Sequence, residues 1–281
     1  MKKLADLIAD CRARAARGKR APLREEVRLP QWPEKIRGVP NAILRSSLFA
    51  SIKKGRRRFV KGERLVSITG IEIYYTGERL DQADLDVYEG LLHFARLYPL
   101  GSPYFITSYA LLKLMGRTDT GKNRAILQAR IERLRANAVR IRQGRFTFIG
   151  GLLDEACKDE QTHAWMVVLN PRLQVLYGVD QFTQVEWAVR QALSGKPLAQ
   201  WLHGFYASHA TPFPMRAETL LKLAGSEDNN QRSAQQTLRK ALVAVVEASA
   251  AYGQRFSYEI RGGLVCIEKT AVKRSLRKLR G

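Results

Sequence analysis

Two similar segments recur along this chain of 281 residues, separated by about 110 positions. LLKLMG at 111–116 is matched by LLKLAG at 220–225, and GRFTF at 144–148 is matched by QRFSY at 254–258. Between these pairs lie two matching apolar stripes: Leu127, Ile131, Leu134 and Ala138, and then Leu238, Leu242, Val245 and Ser249. An offset this steady predicts two tandem copies of one module, since repeated sequence patterns specify repeated structural units.

Each copy has the pattern of helices followed by a hairpin. In the first, helical periodicity extends over LDQADLDVYEGLLHFARLY and ITSYALLKLMG, and a third helix begins near Thr120. The extended runs of VRIRQGRFTFIGGLL then turn at Gln143-Gly144. In the second copy, residues 183–194, 197–209 and 215–225 and a long segment from 229 read as helices, followed by the hairpin RFSYEI…GGLVCIEK.

This order predicts an α+β, mainly helical fold of two tandem winged-helix domains with small β-hairpin wings. In such a domain the third helix enters the DNA major groove and the hairpin reaches the flanking backbone. We place a basic, flexible N-terminal arm at 1–38, the first domain at 39–177 and the second at 178–281, with a basic C-terminal tail. Further expectations are helices at 3–15 and 41–49 and a hairpin formed by 64–68 and 71–76.

Charge is the strongest global signal. Lys and Arg number 48 against 26 Asp and Glu, a formal net charge of +22. An excess of this size favours a polyanionic partner such as nucleic acid. No run of residues approaches the length and apolarity of a membrane span, and three widely spaced cysteines offer no disulfide framework. A cytoplasmic location is therefore expected.

Candidate DNA contacts fall on the third helix and hairpin of each copy. A helical wheel aligned on the apolar stripe turns Lys122 and Arg133 away from the core and puts Arg130 at its boundary. In the second copy, amide and guanidinium groups suit bidentate reading of adenine and guanine edges. The first copy, with simpler positive charge, suits backbone binding. The candidates are Lys122, Arg124, Arg130, Arg133, Arg142, Arg145, Arg232, Ser233, Gln236, Arg239, Lys240 and Arg255.

GRTDTGKN at 116–123 is one residue short of the phosphate-binding pattern G-x-x-x-x-G-K-[ST], which raises the alternative of an NTPase. Asn123 stands where a magnesium-binding hydroxyl is needed, and the preceding residues have helical periodicity, whereas a P-loop follows a strand. We interpret the stretch as the turn between two helices. The four histidines have no metal-binding spacing with the cysteines, and no cofactor or enzymatic activity is expected.

Three stretches carry a family resemblance: VPNAILRSSLFASIKKGRRR at 39–58, ITGIEIYYTGERLDQADLDVYEGLLHFAR at 68–96, and the paired LLKLMG and LLKLAG helices. With these the chain resembles the TrfA-like plasmid replication initiators, members of the iteron-binding Rep family. The resemblance implies that the chain binds direct-repeat iterons at a plasmid origin and opens an adjacent AT-rich region. Single-stranded DNA of that AT-rich region is implied as a further partner. It also implies recruitment of the host initiator DnaA, the replicative helicase and the sliding clamp, and monomer–dimer control of copy number.

Two alternatives stay open from the sequence. RSSLF at 45–49 is similar to the pentapeptide that docks on the bacterial sliding clamp, with Leu48 and Phe49 entering an apolar pocket, although Arg45 replaces the usual glutamine. The same two side chains would equally serve to pack their own domain. At the level of function, a winged-helix transcriptional regulator that binds an operator is the alternative to a replication initiator.

Overall fold

Two hydrophobic cores organise the protein. The computed structural model describes residues 26–52, 55, 57–228 and 230–269. One cluster of buried apolar residues extends from Leu29 to Val185, and the other from Val189 to Ile267. Each part of the chain therefore buries apolar surface of its own, which is what two tandem modules require. We call them the first and the second module.

The first module contains ten strands and four α-helices within the described residues. In chain order they are β1 (Ile36–Pro40), α1 (Asn41–Leu44), β2 (Phe49–Ala50), β3 (Phe59–Leu65), β4 (Ile71–Glu78), β5 (Leu80–Asp81), α2 (Gln82–Ala95), β6 (Tyr104–Thr107), α3 (Ser108–Leu114), α4 (Gly121–Arg135), β7 (Ala138–Gln143), β8 (Phe146–Gly150), β9 (Glu155–Lys158) and β10 (Ala164–Val168), followed by a 3₁₀ helix (Pro171–Tyr177).

The second module is smaller and more helical. It begins with β11 (Phe182–Glu186), whose Val185 still packs in the first core. Its other elements are α5 (Trp187–Ala192), α6 (Pro197–Ala207), β12 (Met215–Arg216), α7 (Ala217–Leu223), α8 (Gln231–Ala251), β13 (Phe256–Arg261) and β14 (Leu264–Lys269). The predicted helix at 183–194 is wrong at its start, because residues 182–186 form β11 and only Trp187 begins the helix.

One topological unit occurs in both modules. In the first, β6 precedes α3 and α4 and lies in a three-stranded sheet of order β6-β10-β9. In the second, β12 precedes α7 and α8 and lies in a sheet of order β12-β14-β13. The first strand of each unit pairs antiparallel with the last, Ile106 opposite Trp165 and Met215 opposite Val265. The repeat seen in the sequence is thus a repeat of structure.

The hairpin of the first unit lies elsewhere than predicted. The run at 138–150 forms β7 and β8 as expected, with its turn at Gly144-Arg145, but this hairpin joins β3 and β4 in a four-stranded sheet of order β3-β4-β7-β8. The pairing is favourable because Ile73 of β4 and Ile141 of β7 are opposite each other and fully buried. The counterpart of β13–β14 is β9–β10, so the match of GRFTF with QRFSY is not a structural equivalence.

Other expectations also need correction. The fold is mixed α/β, with strands about as prominent as helices, and is not mainly helical. Residues 26–38 are no flexible arm, since Leu29 and Trp32 lie in the first core. The helix expected at 41–49 ends at Leu44. The helix expected at 3–15 and the basic C-terminal tail from 270 lie outside the described residues.

The two modules share an extensive interface. Strand β1 pairs antiparallel with β11 across its whole length. Arg190 of α5 is 1% exposed and contacts two acidic residues of α2: its Nε lies 2.8 Å from Asp86 Oδ1 and 3.2 Å from Glu89 Oε2. The indole N–H of Trp201 donates to the carbonyl oxygen of Ser46 at 3.0 Å. Paired backbone and a compensated buried charge hold the modules in one relative orientation.

Gly225 of the second module packs closely against Ala50 of the first module, and Gly225→Ala should destabilise the protein. Its φ is +65°, and an added Cβ would lie 2.8 Å from the Cβ of Ala50. Both the strained dihedral and the clash raise the free energy of the folded state, by about 2–4 kcal/mol together. Gly253→Ala is the matched control, because its φ is +73° but nothing lies within 4 Å. Equal melting temperatures for the two variants would contradict the close contact.

Glu89 should make stability depend on pH. Burial raises the pKa of its carboxyl to about 7 from an ordinary 4.5, against the lowering effect of Arg190. The folded protein therefore holds a proton that the unfolded chain releases, and this contribution is lost as the pH rises from about 4.5 to about 7. In denaturant titrations, the free energy of unfolding of the wild type minus that of Glu89→Gln should fall over this range. A constant difference would show that Glu89 does not titrate there.

Candidate nucleic-acid interface

Helix α8 presents a polar, cationic face to solvent. The side chain of Asn230 caps its start by accepting from the backbone N–H of Ser233 at 3.1 Å, and its opposite face packs in the second core. Four outward residues, at one- and two-turn spacing, make no hydrogen bond or ion pair within the part of the chain that the structure describes. They are Arg232, Gln236, Arg239 and Lys240. Such unengaged guanidinium and amide groups on one helix face are available to a ligand.

The two other predicted DNA contacts of the second module, Arg255 and Ser233, lie beside this face, and only Arg255 is free of a local partner among the described residues. Arg255 precedes β13 and is exposed, so it extends the positive surface beyond the end of the helix. Ser233 is exposed too, but its hydroxyl donates to Asp228 Oδ2 at 2.7 Å and is already engaged. Gln235, which the sequence analysis did not select, is exposed beside Gln236 and has the same amide chemistry. Its position three residues after Arg232 and four before Arg239, on the same side of the helix, was the available signal.

Helix α4 of the first module is different, because two of its arginines are held by carboxylates. Arg133 donates to Asp84 Oδ1 at 2.8 Å and to Glu78 Oε2 at 2.9 Å. Arg130 donates to Asp81 Oδ1 at 2.9 Å and to Asp84 Oδ1 at 2.7 Å. Both arginine side chains are only 15% exposed. The expectation that Arg133 faces away from the core is wrong, and neither guanidinium is free for DNA.

Two of these carboxylates lie at the start of α2, Asp81 as its N-cap and Asp84 in its first turn. Asp81 and Asp84 form a reciprocal capping box, each side chain accepting from the backbone N–H of the other residue. Burial opposes the charged form of Asp81, but Arg130 and Arg57 outweigh it and lower the pKa of that carboxyl. Two buried acids therefore stay compensated only while Arg57 and the arginines of α4 remain beside them. The cluster joins α2 to α4.

The remaining basic candidates of the first module are exposed to differing degrees. Lys122, in the first turn of α4, is exposed. Arg124 forms a bidentate pair with Asp119, both N–H···O distances being 2.6 Å. Arg142 of β7 donates to Glu72 Oε1 at 2.6 Å, and Arg145 stacks over the ring of Phe146 with 4.8 Å to its centroid. Arg142 and Arg145 belong to the four-stranded sheet, away from the three-stranded sheet of the α3–α4 unit.

Leu48 and Phe49 are buried. They are 0% and 1% exposed, and the ring of Phe49 stacks on that of Tyr88 with 6.0 Å between centroids. Of the two interpretations of RSSLF, packing within the first module is the one that this geometry supports. A docking motif has to present both side chains to its partner.

The GRTDTGKN stretch joins two helices. It follows α3, and Gly116, with φ +66°, ends that helix. The hydroxyl of Thr120 accepts from the backbone N–H of Asn123 at 3.2 Å and so caps α4. The position of this segment after a helix is therefore confirmed, and it differs from the strand–loop–helix order of a P-loop.

The described residues contain neither a metal-binding cluster nor a membrane-spanning helix. Among residues 26–52, 55, 57–228 and 230–269, no cluster of three or more His, Cys, Asp or Glu side chains is arranged to hold a metal ion. None of the helices in these ranges is long and apolar enough to cross a membrane.

Sequence comparison gives a family match over most of the chain. The family model described as "TrfA protein" matches residues 24–249. A curated relative, the plasmid replication initiator protein TrfA of Escherichia coli, is 27% identical over 208 residues, which are 70% of this chain and 53% of that protein. The chain thus spans about half the length of this relative.

Structural comparison finds the same overall fold in RctB. A selenomethionine structure of RctB domains 2 and 3 superposes with a TM-score of 0.56 at 14% identity, covering 82% of this chain and 98% of that one. A second structure of these domains gives a TM-score of 0.52 at 14% identity, with 81% and 95% covered. At such low identity the likeness concerns the fold alone.

The carboxylate cluster at α2 gives Arg133 a structural role. Arg133→Met should lower stability by about 2 kcal/mol, because Asp84 would lose one of its buried partners. Lys122→Met on the same helix removes the same charge from an exposed position and is the matched control. Thermal unfolding followed by circular dichroism should show a drop of several degrees for the first variant only. Equal melting temperatures for both would mean that Arg133 does not stabilise the fold.

Proposed function

The chain belongs to the TrfA protein family, and from this premise we propose that it is a plasmid replication initiator. In this proposal it binds direct-repeat iterons at a plasmid origin through two winged-helix modules. The observation that supports it most is the outward face of α8. There, Arg232, Gln236, Arg239 and Lys240 lie on an exposed surface with no partner among the described residues. Arginine and glutamine pair bidentately with guanine and adenine in the major groove.

The two modules would make different kinds of contact with DNA. α8 would enter the major groove and read bases, and Arg255, beside β13–β14, would reach the DNA backbone. The first module would supply phosphate contacts from Lys122, which is exposed. Arg124 and Arg145 would add phosphate contacts once they leave their local partners, Asp119 and the ring of Phe146. Arg130 and Arg133 drop out of the proposed interface, since each donates to two carboxylates. Arg142 keeps an exposed side chain but is paired with Glu72.

The hairpins that would act as wings differ in charge. At the tip of β13–β14, Arg261 lies beside Gly262 and Gly263 and is exposed, although it also pairs with Glu259. At the tip of β9–β10 stand Asp159 and Glu160, which phosphates would repel. This difference supports a model in which only the second module uses its wing on DNA. The first module would follow the DNA mainly through α4.

The later steps of initiation are also part of the proposal. They are opening of an adjacent AT-rich region, recruitment of the host initiator DnaA and the replicative helicase in the cytoplasm, and control by monomer–dimer exchange. Docking on the sliding clamp through Leu48 and Phe49 is left out, because both side chains are buried. A transcriptional regulator would use the same α8 face, so duplex binding does not separate the two functions.

Footprinting on the cognate plasmid origin tests the proposal. DNase I protection should appear over regularly spaced direct repeats. Permanganate should then modify thymines in an adjacent AT-rich segment of supercoiled origin DNA, because an initiator unpairs that segment. Protection without permanganate reactivity would favour the transcriptional regulator. No protection of any repeat would overturn the DNA-binding role as well.

The α8 face yields a test of base reading. Gln236→Ala and Arg239→Ala should each weaken binding to the cognate repeat by about 10- to 100-fold, since one bidentate base contact is worth about 1–3 kcal/mol. Binding to random duplex should change much less. Arg172→Ala, which removes an exposed arginine of the 3₁₀ helix, is the control. Fluorescence anisotropy with both duplexes gives the ratio, and an unchanged ratio in the α8 variants would refute base reading.

A further inference from the structure

We propose that the outer face of the four-stranded sheet is a docking surface for an acidic segment of a partner protein. We define this outer sheet face by Arg64 of β3, Tyr74 of β4, Arg140 and Arg142 of β7, and Ile149 of β8. The inference is independent of DNA binding by α8, because it concerns a different element and a different class of ligand.

Strand register brings these side chains into one row. Arg64 lies opposite Tyr74, Tyr74 opposite Arg140, and Arg140 opposite Ile149. One sequence neighbour of each is buried on the inner face, so this row points to solvent; these neighbours are Leu65, Ile73, Val139 and Phe148. With strands about 4.8 Å apart, the row extends for about 14 Å. A peptide segment of four or five residues would cover that length.

The guanidinium groups on this face have few local partners. The Arg140 guanidinium lies over the Tyr74 ring, 4.1 Å from its centroid, and forms no ion pair within the described ranges. Arg64 is 65% exposed and reaches Glu72 only at 4.0 Å. Arg142 pairs with the same Glu72. Three arginines thus share one carboxylate, which leaves a local excess of positive charge.

The apolar side chains beside these arginines favour a carboxylate-bearing protein segment over a phosphate backbone. Planar guanidinium groups bind carboxylates and phosphates alike bidentately, and stacking on Tyr74 keeps Arg140 oriented for such a contact. Ile149 and Phe59 are 66% and 65% exposed on the same face, and a DNA backbone has nothing to cover them with. Arginine and tyrosine beside exposed apolar side chains are typical of protein–protein interfaces. The ligand that matches is an acidic segment carrying one or two apolar side chains.

The hairpin that builds the face has no counterpart in the second module. There the chain passes from α8 directly to β13, whereas in the first module β7 and β8 stand between α4 and β9. This addition supplies Arg140, Arg142 and Ile149, more than half of the defined surface. The unit repeated in both modules does not need the hairpin for its own sheet, so the added surface is open to a separate use.

Peptide selection tests the proposal. A random 12-residue library displayed on phage is selected on the full chain in 300 mM salt, with depletion on Arg64→Glu/Arg140→Glu. Selected peptides should be rich in Asp and Glu with an apolar residue among them. The synthesised peptides should bind this variant at least tenfold more weakly than the wild type. Arg172→Glu/Lys196→Glu reverses two exposed charges elsewhere on the surface, and the peptides should bind this control variant with the same affinity as the wild type.

Several outcomes would overturn the inference. One is selected peptides with no acidic enrichment, and another is equal binding to wild type and sheet variant. A third is unchanged peptide binding together with loss of binding to a labelled oligothymidylate or duplex, which would assign the face to nucleic acid. Arg64→Ala/Arg140→Ala serves as a milder variant if charge reversal alters the circular dichroism spectrum. It should weaken peptide binding in the same direction.

Discussion

The burial of Arg190 between two acidic side chains of α2 is the interaction on which the arrangement of the modules depends. A guanidinium this deeply buried is tolerable only while Asp86 compensates it, since removing that partner leaves an uncompensated charge. Helix α5 cannot leave α2 without exposing that cost. The two cores therefore behave as one body, and the distance and angle between α4 and α8 are properties of the folded chain, not of the ligand.

A second set of charges separates the roles of the two long helices. The acidic first turn of α2 stabilises the positive end of that helix and at the same time engages arginines of α4. Positive charge on α4 is thus used largely inside the protein. On α8, Arg232, Arg239 and Lys240 form no ion pair with an acidic side chain among the described residues, and they are exposed to solvent. Similar sequence patterns have yielded one helix that holds the fold together and one that is open to a ligand.

Much of the fold and of the α8 face could be predicted from the sequence, and the incorrect predictions have a common cause. Periodicity located α2, α3, α4, α7 and α8, because each buries one face in its own core. It could not show that Arg130 and Arg133 meet Asp84, which is 46 and 49 residues away. A helical wheel gives the direction of a side chain but not the residues of distant segments that the side chain contacts. Likewise the sequence predicts the hairpin at 138–150 but not its pairing with β4, because pairing between distant strands leaves no local signal in the sequence. The α8 face was predictable except for Ser233, whose hydroxyl donates to Asp228, and for Gln235, which was not selected.

The pairing of β1 with β11 has a consequence for how the protein is made. Ile36 faces Glu186 in that ladder, so the first strand leaves the ribosome long before the strand it needs. At roughly 5–20 residues per second, the interval is on the order of ten to thirty seconds. During that time the backbone N–H and C=O groups of residues 36–40 are satisfied by water or by a passing strand edge. Synthesis of this chain therefore includes a period of exposure to wrong pairing, which ends only when Phe182–Glu186 emerges and closes the small sheet between the modules.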